Sequence, residues 1–175
     1  PRRPTSSWGD ARRRRSLLHA LPKTDLHVHL DGSIRPSTIF ELAREQRVKL
    51  LVRGPAGLRR FLSRLTSGVS LPTYLEAFDL TLSVLQEAAA LERAAFELAE
   101  DAHLENVRYM EVRYCPALHT KRGLTLPDIV DAVVRGLSQA ERRYGIRTGT
   151  IICGIRHLSP KLSLTLADLA VAYVG

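Results

Sequence analysis

His27, His29 and Asp31 recur at every second residue, with Leu26, Val28 and Leu30 between and before them. On a β-strand, residues two apart face the same side, so this spacing puts the polar groups on one face and the aliphatics on the other. Two neighbouring imidazoles bind one divalent metal through neutral ring nitrogens, a donor set that suits zinc. Gly32 follows, and its missing Cβ permits a tight turn where the strand ends. The stretch Pro22–Ser33 therefore reads as a strand carrying half of a metal site to its C-terminal end.

The remaining reactive side chains are less pointed. Asp25 has the same strand parity but sits at the opposite end, where a structural pairing with a nearby Arg or Lys is expected. Glu111 and Arg113 share one face of a second strand and form a structural ion pair in this reading. His157 follows a third strand and is equally a supporting or a structural residue. His19, His103 and His119 fall in a tail, a helix and a loop, and are expected to be solvated rather than ligands. Cys115 and Cys153 lack a disulfide-framework spacing and read as reduced, buried thiols. Nothing beyond residue counts supports a Ser-His-Asp or Cys-His arrangement.

Three strands must position these groups. The first is 24–30, the second the β-rich Val107–Tyr114, and the third 147–155. Between the first two, Pro36 opens a helix to about Gln46, a loop covers 48–57, and a short helix covers 58–65. Leu71-Pro72 starts another helix with Tyr74, Leu75, Phe78 and Leu82 at helical spacing, and an Ala/Glu/Leu-rich helix spans about 87–105. Thr125-Leu-Pro-Asp128 predicts an N-cap with Pro in the first turn and an acid at the third position; Gly145 supplies the stop. Ser159-Pro160 begins a last helix, to about Val174. Strands separated by helices predict an α/β class with parallel strands.

Composition bounds the function. A chain of 175 residues, 45% hydrophobic and 25% charged, is ordinary for a globular domain. The net charge of +8 invites a nucleic-acid reading, but its distribution argues otherwise. Residues 1–23 hold Arg2, Arg3, Arg12, Arg13, Arg14, Arg15 and Lys23 against Asp10, while the rest of the chain is nearly balanced. The basicity belongs to a tail, residues 1–19, expected to be disordered, and residues 20–175 form the domain. A transit helix would need an apolar face that this tail lacks. No apolar run approaches the roughly 20 residues of a membrane span. Neither nucleic acid nor membrane is an expected partner, and a cytoplasmic location is the default expectation.

LPKTDLHVHLDGS resembles the opening strand of the adenosine deaminase family, within the metal-dependent amidohydrolases. NVRYMEVRYCP (106–116) and GTIICGIRHLSP (149–160) are similar to the same family in order and spacing, so the resemblance covers about residues 20–173. It implies a TIM-type (β/α)8 barrel, of which this chain carries about the first three β/α units plus inserted helices. It also implies that His27 and His29 bind a catalytic Zn2+. His29 and Asp31 would contact substrate, Asp31 accepting a hydrogen bond from a ribose 5′-hydroxyl, and Tyr74, Leu75 and Phe78 would either wall the pocket or pack as a helix face on the barrel. Zinc lowers the pKa of a bound water to about 7, giving hydroxide to displace the amino group of a purine nucleoside as ammonia. The family's proton-donating Glu and third His, in a His-Ala-Gly-Glu motif, and its paired Asp-Asp are not among these 175 residues. The expected function is hydrolytic deamination of adenosine or deoxyadenosine in purine metabolism. The alternatives are adenine deamination, or a truncated chain that is not catalytic by itself.

Overall fold

A computed structural model describes the backbone of residues 7–50, 52–66 and 70–174, and the side chains of these except 7–10, 65–66 and 71–77. Three parallel strands, β1 (Lys23–His29), β2 (Val107–Tyr114) and β3 (Arg147–Ile152), form a sheet in that order. Four helices connect β1 to β2: α2 (Pro36–Glu45), α3 (Gly54–Thr66), α4 (Leu71–Val84) and α5 (Ala88–Leu104). Helix α6 (Leu126–Tyr144) connects β2 to β3, α7 (Pro160–Ala172) follows, and α1 (Ser7–Ala20) precedes the sheet.

The central strand β2 sets the two faces of the sheet. Met110, Val112 and Tyr114 alternate inward and are buried against the helices, while Tyr109, Glu111 and Arg113 point to the other side and stay partly exposed. Ala90, Leu91, Ala94, Ala95, Leu98 and Ala99 make one buried stripe along α5 at helical spacing. That stripe meets Ile129, Ala132, Val133, Leu137 and Ala140 of α6. Small residues let the two helices approach closely, most of all at Gly136.

The ends of α6 are those its sequence specifies. The Thr125 hydroxyl accepts from the Asp128 backbone N–H, and the Asp128 carboxylate accepts from the Thr125 N–H, a reciprocal capping box. Gly145 ends the helix at φ 71°, a left-handed conformation that suits glycine. Thr125→Ala is expected to destabilise the fold by about 1 kcal/mol in urea denaturation. The hydrogen bonds from Thr125 hold the Asp128 carboxyl below its usual range. A depressed carboxylate pKa stabilises above the unfolded value and loses that contribution as pH falls through the folded one. The Thr125→Ala penalty therefore shrinks in acid.

Ion pairs fasten the segment after β1 to α5. Arg35 donates to Asp101 Oδ2 at 3.0 Å from Nε and to Glu100 Oε2 at 2.7 Å from Nη2. Arg93 bridges Glu97 at 2.8 Å and Glu41 at 2.6 Å, joining α5 to α2. Pairs this exposed are each worth up to about 1 kcal/mol. Their role is geometric, since the connection they hold begins at Asp31.

Residues expected to be a disordered extension are helical from Ser7 to Ala20 in the structure; residues 1–6 lie outside the described residues. Arginine, alanine and leucine are good helix formers, and no Gly or Pro interrupts 10–20. The Lys23 ammonium adds a cap, donating to the His19, Leu21 and Glu105 carbonyls at 3.1, 3.0 and 2.7 Å. The side chains of 11–20 are exposed throughout, so this part of α1 adds nothing to the core. Among the described residues no helix is long and apolar enough to cross a membrane.

Candidate metal centre

Strand β1 delivers His27 and His29 as its alternation requires. Parallel register pairs His29 with Arg113 and Val28 with Val112. Val112 is wholly buried toward the helices, so His29 lies on the opposite face, with Arg113. The two imidazole centroids are 5.4 Å apart, with the rings tilted by 49°. The Arg113 guanidinium lies 2.7 Å from His27 Nε2. A guanidinium only donates, so that nitrogen accepts through its one lone pair, and the same lone pair reaches a cation only once Arg113 moves off it.

Asp31 lies in the turn that ends β1, which Ser33 N–H closes on the Leu30 carbonyl at 3.3 Å. Its residue is 6% exposed, and Oδ1 is buried with no hydrogen-bond partner among the described residues. The same oxygen stands 3.6 Å from His29 Nδ1. A carboxylate on that side of the ring favours a proton on Nδ1 and leaves Nε2 free for a metal. Phe78 of α4 meets His29 edge-on, ring centroids 5.9 Å apart. A Cβ on Gly32 would lie 3.4 Å from both Phe78 and His29, so glycine gives this wall room to close. Tyr74 and Leu75, also expected in the wall, lie outside the described side chains.

These groups fit a zinc ion in part. Adjacent imidazoles on one face are the right donors, and the unpartnered Asp31 oxygen is placed to orient one of them. Among the described residues, no three of His, Cys, Asp and Glu converge as a complete metal cage. A catalytic zinc normally takes three protein ligands. Among the described residues, His27 and His29 are the pair whose rings stand together on that face.

The other candidates stand apart. Asp25 is exposed, and its Oδ1 accepts from the His27 N–H at 3.3 Å; its partner is the strand's own backbone. Glu111 pairs with the Tyr109 hydroxyl at 2.8 Å, and Arg113 with His27, where an ion pair between the two was expected. His19 and His157 are exposed, and His103 stacks on Tyr144 at 4.9 Å. Cys115 and Cys153 are free; burial raises the Cys115 thiol's pKa, while Cys153 is only half-buried.

His119 overturns its expected place in solvent. It is fully buried at the end of a short 3-10 turn, Pro116–His119, and its Nδ1 lies 2.9 Å from the Leu85 carbonyl oxygen. Gln86, also buried, donates to the Leu82 and Leu118 carbonyls and accepts from the Lys121 N–H. Sequence spacing assigns neither residue to the site. The signal available for His119 was its position just past the C-terminal end of β2, beside the end of β1.

The family model described as adenosine deaminase matches residues 22–174. An adenosine deaminase of Vibrio vulnificus (strain YJ016) is 48% identical over 141 residues, covering 81% of this chain and 42% of that protein. Among solved structures, an adenine deaminase from Arthrobacter aurescens superposes with a TM-score of 0.77 at 27% identity, covering 87% of this chain and 46% of that one. An amidohydrolase from Burkholderia ambifaria, crystallised with bound Zn, also scores 0.77 at 27% identity, covering 92% and 43%. The chain spans less than half the length of the curated relatives it matches.

Proposed function

Because this chain belongs to the adenosine deaminase family, we propose that it supplies the β1 side of a zinc site for hydrolytic deamination of adenosine or deoxyadenosine. The products are inosine or deoxyinosine and ammonia. The observation that carries this reading is the pair His27 and His29 on one strand face, with buried Asp31 at 3.6 Å from His29. His27 and His29 would hold the ion through ring nitrogens. Zinc, when bound, activates water at neutral pH.

The chain's own residues do the remaining work. Asp31 orients His29 and keeps further acceptor capacity for a ribose 5′-hydroxyl. Its negative charge repels a phosphate at the same place, which favours a nucleoside over a nucleotide. Phe78 gives the site an apolar wall that excludes water from one side of His29. The likeness to an adenine deaminase supports a second reading, free adenine as substrate. Asp31 opposes it, because free adenine has no ribose hydroxyl to donate to that carboxylate.

Two experiments bear on this function. Zinc-loaded chain of 175 residues is expected to leave adenosine's ultraviolet absorbance unchanged, since two protein ligands and no proton-donating Glu are present. Turnover by that chain contradicts the half-site account. A chimera joining residues 20–174 to the remainder of the Vibrio enzyme is expected to deaminate adenosine in preference to AMP and adenine. His27→Ala or His29→Ala should abolish that activity. A chimera that prefers adenine or AMP overturns the substrate assignment.

A further inference from the structure

Cys115 and Cys153, which deamination leaves without a task, stand side by side just past the ends of β2 and β3. Parallel register pairs Tyr114 with Ile152, the last residues of the two strands. The ladder then runs one step further, since the Cys153 N–H donates to the Tyr114 carbonyl at 2.9 Å. Cys115 is still extended, at φ −107° and ψ 107°. Cys115 and Cys153 therefore continue the pairing, and alternation sends both away from the helix face that buries Tyr114.

This placement has the spacing of a disulfide. Neighbouring strands lie about 4.7–4.9 Å apart, and a disulfide joins α-carbons about 4.4–6.8 Å apart. The Cys153 thiol also leans toward its neighbour. Its Sγ lies 3.7 Å from the Ile151 carbonyl oxygen. Residues two apart in a strand present their backbone groups to the same edge, so that carbonyl faces β2, as the Cys153 N–H does. Both thiols are free, but their access differs: Cys115 is 4% exposed, while Cys153 is half-buried. Burial pushes the Cys115 thiol's pKa up, which makes it a poor first target for an oxidant.

We propose that Cys115 and Cys153 are a modification site, closing a reversible intramolecular disulfide when the chain meets hydrogen peroxide. The accessible Cys153 sulfur attacks the peroxide. The O–O bond breaks, one oxygen stays on sulfur as a sulfenic acid, and the other leaves as water with the thiol proton. The Cys115 sulfur then attacks the Cys153 sulfur. The S–S bond forms, the S–O bond breaks, and hydroxide leaves with the Cys115 proton as water. Two thiols are oxidised and one peroxide is reduced. The proposal rests on strand register and is independent of zinc and of the substrate.

The test treats the reduced 175-residue chain, dilute and without zinc, with hydrogen peroxide, followed by thiol titration and non-reducing peptide mapping. Free thiols are expected to fall from two per chain to none, with one cross-linked peptide joining Cys115 to Cys153 in the monomer, and dithiothreitol should restore both. In Cys115→Ser, Cys153 should stop at the sulfenic acid and be captured by dimedone. In Cys153→Ser, Cys115 should keep its thiol. Survival of both wild-type thiols, cross-links only between molecules, or Cys153 driven to sulfinic acid beside a free Cys115 overturns the proposal. If either variant does not fold, the wild-type peptide map decides.

Discussion

Gly136→Ala is expected to destabilise this fold by about 2 kcal/mol or more, although alanine is the better helix former. A Cβ at that position would stand 2.1 Å from the Glu92 carbonyl oxygen and 3.0 Å from the Ala95 Cβ. The oxygen belongs to the backbone of α5, so relief requires moving one helix against the other. Helix propensity favours alanine by about 1 kcal/mol. Overpacking of a tight interface costs up to about 3 kcal/mol, and occasionally more, so the steric cost wins. Urea denaturation with an unchanged slope and a lower midpoint is the expected record. A midpoint equal to or above that of the parent chain would contradict the close approach of α5 and α6.

The second large effect concerns the metal. His27→Ala and His29→Ala should each weaken zinc binding by at least about 100-fold in competition with a chromophoric chelator, the upper end of what losing a mere supporting group costs. Asp31→Asn should weaken it by about 10-fold, because it removes the charge facing His29 Nδ1 but leaves both imidazoles. His157→Ala and Cys153→Ser should change nothing, since neither lies with the two histidines. Equal losses across all five variants would point to zinc held at scattered surface sites.

The gradation expected of His27, His29 and Asp31 follows from a feature the sequence displays openly. A period of two assigns faces on a strand, and the structure puts His29 on the face opposite Val112 with the His27 ring beside it. The capping box at Thr125 and the stop at Gly145 were equally legible, because both are local chemistry. Other boundaries were not local. Strand β3 ends at Ile152 rather than 155 because its partner Tyr114 is the last residue of β2. Helix α3 begins at Gly54 rather than 58; its Gly-Pro-Ala-Gly opening reads as loop, yet Pro is tolerated in a first helical turn.

Within the site, periodicity told which face a residue takes but not whom it meets. Arg113 reaches His27 across a strand pair whose register shifts between Asp25 and Val28, and no spacing rule reports such a shift. His119 was misjudged for a related reason. Its sequence neighbours spell a loop, while its burial comes from Leu85 and Gln86, far back in the chain. Long-range partners decide the fate of a loop histidine.

X-ray absorption at the zinc edge of the metal-loaded 175-residue chain tests the central claim most directly. The account predicts two imidazole nitrogens from this protein at about 2.0–2.1 Å, completed by water oxygens, with the imidazole scattering falling to one ring in His27→Ala or His29→Ala. Sulfur at about 2.3 Å from Cys115 or Cys153, or imidazole scattering indifferent to both substitutions, would contradict it.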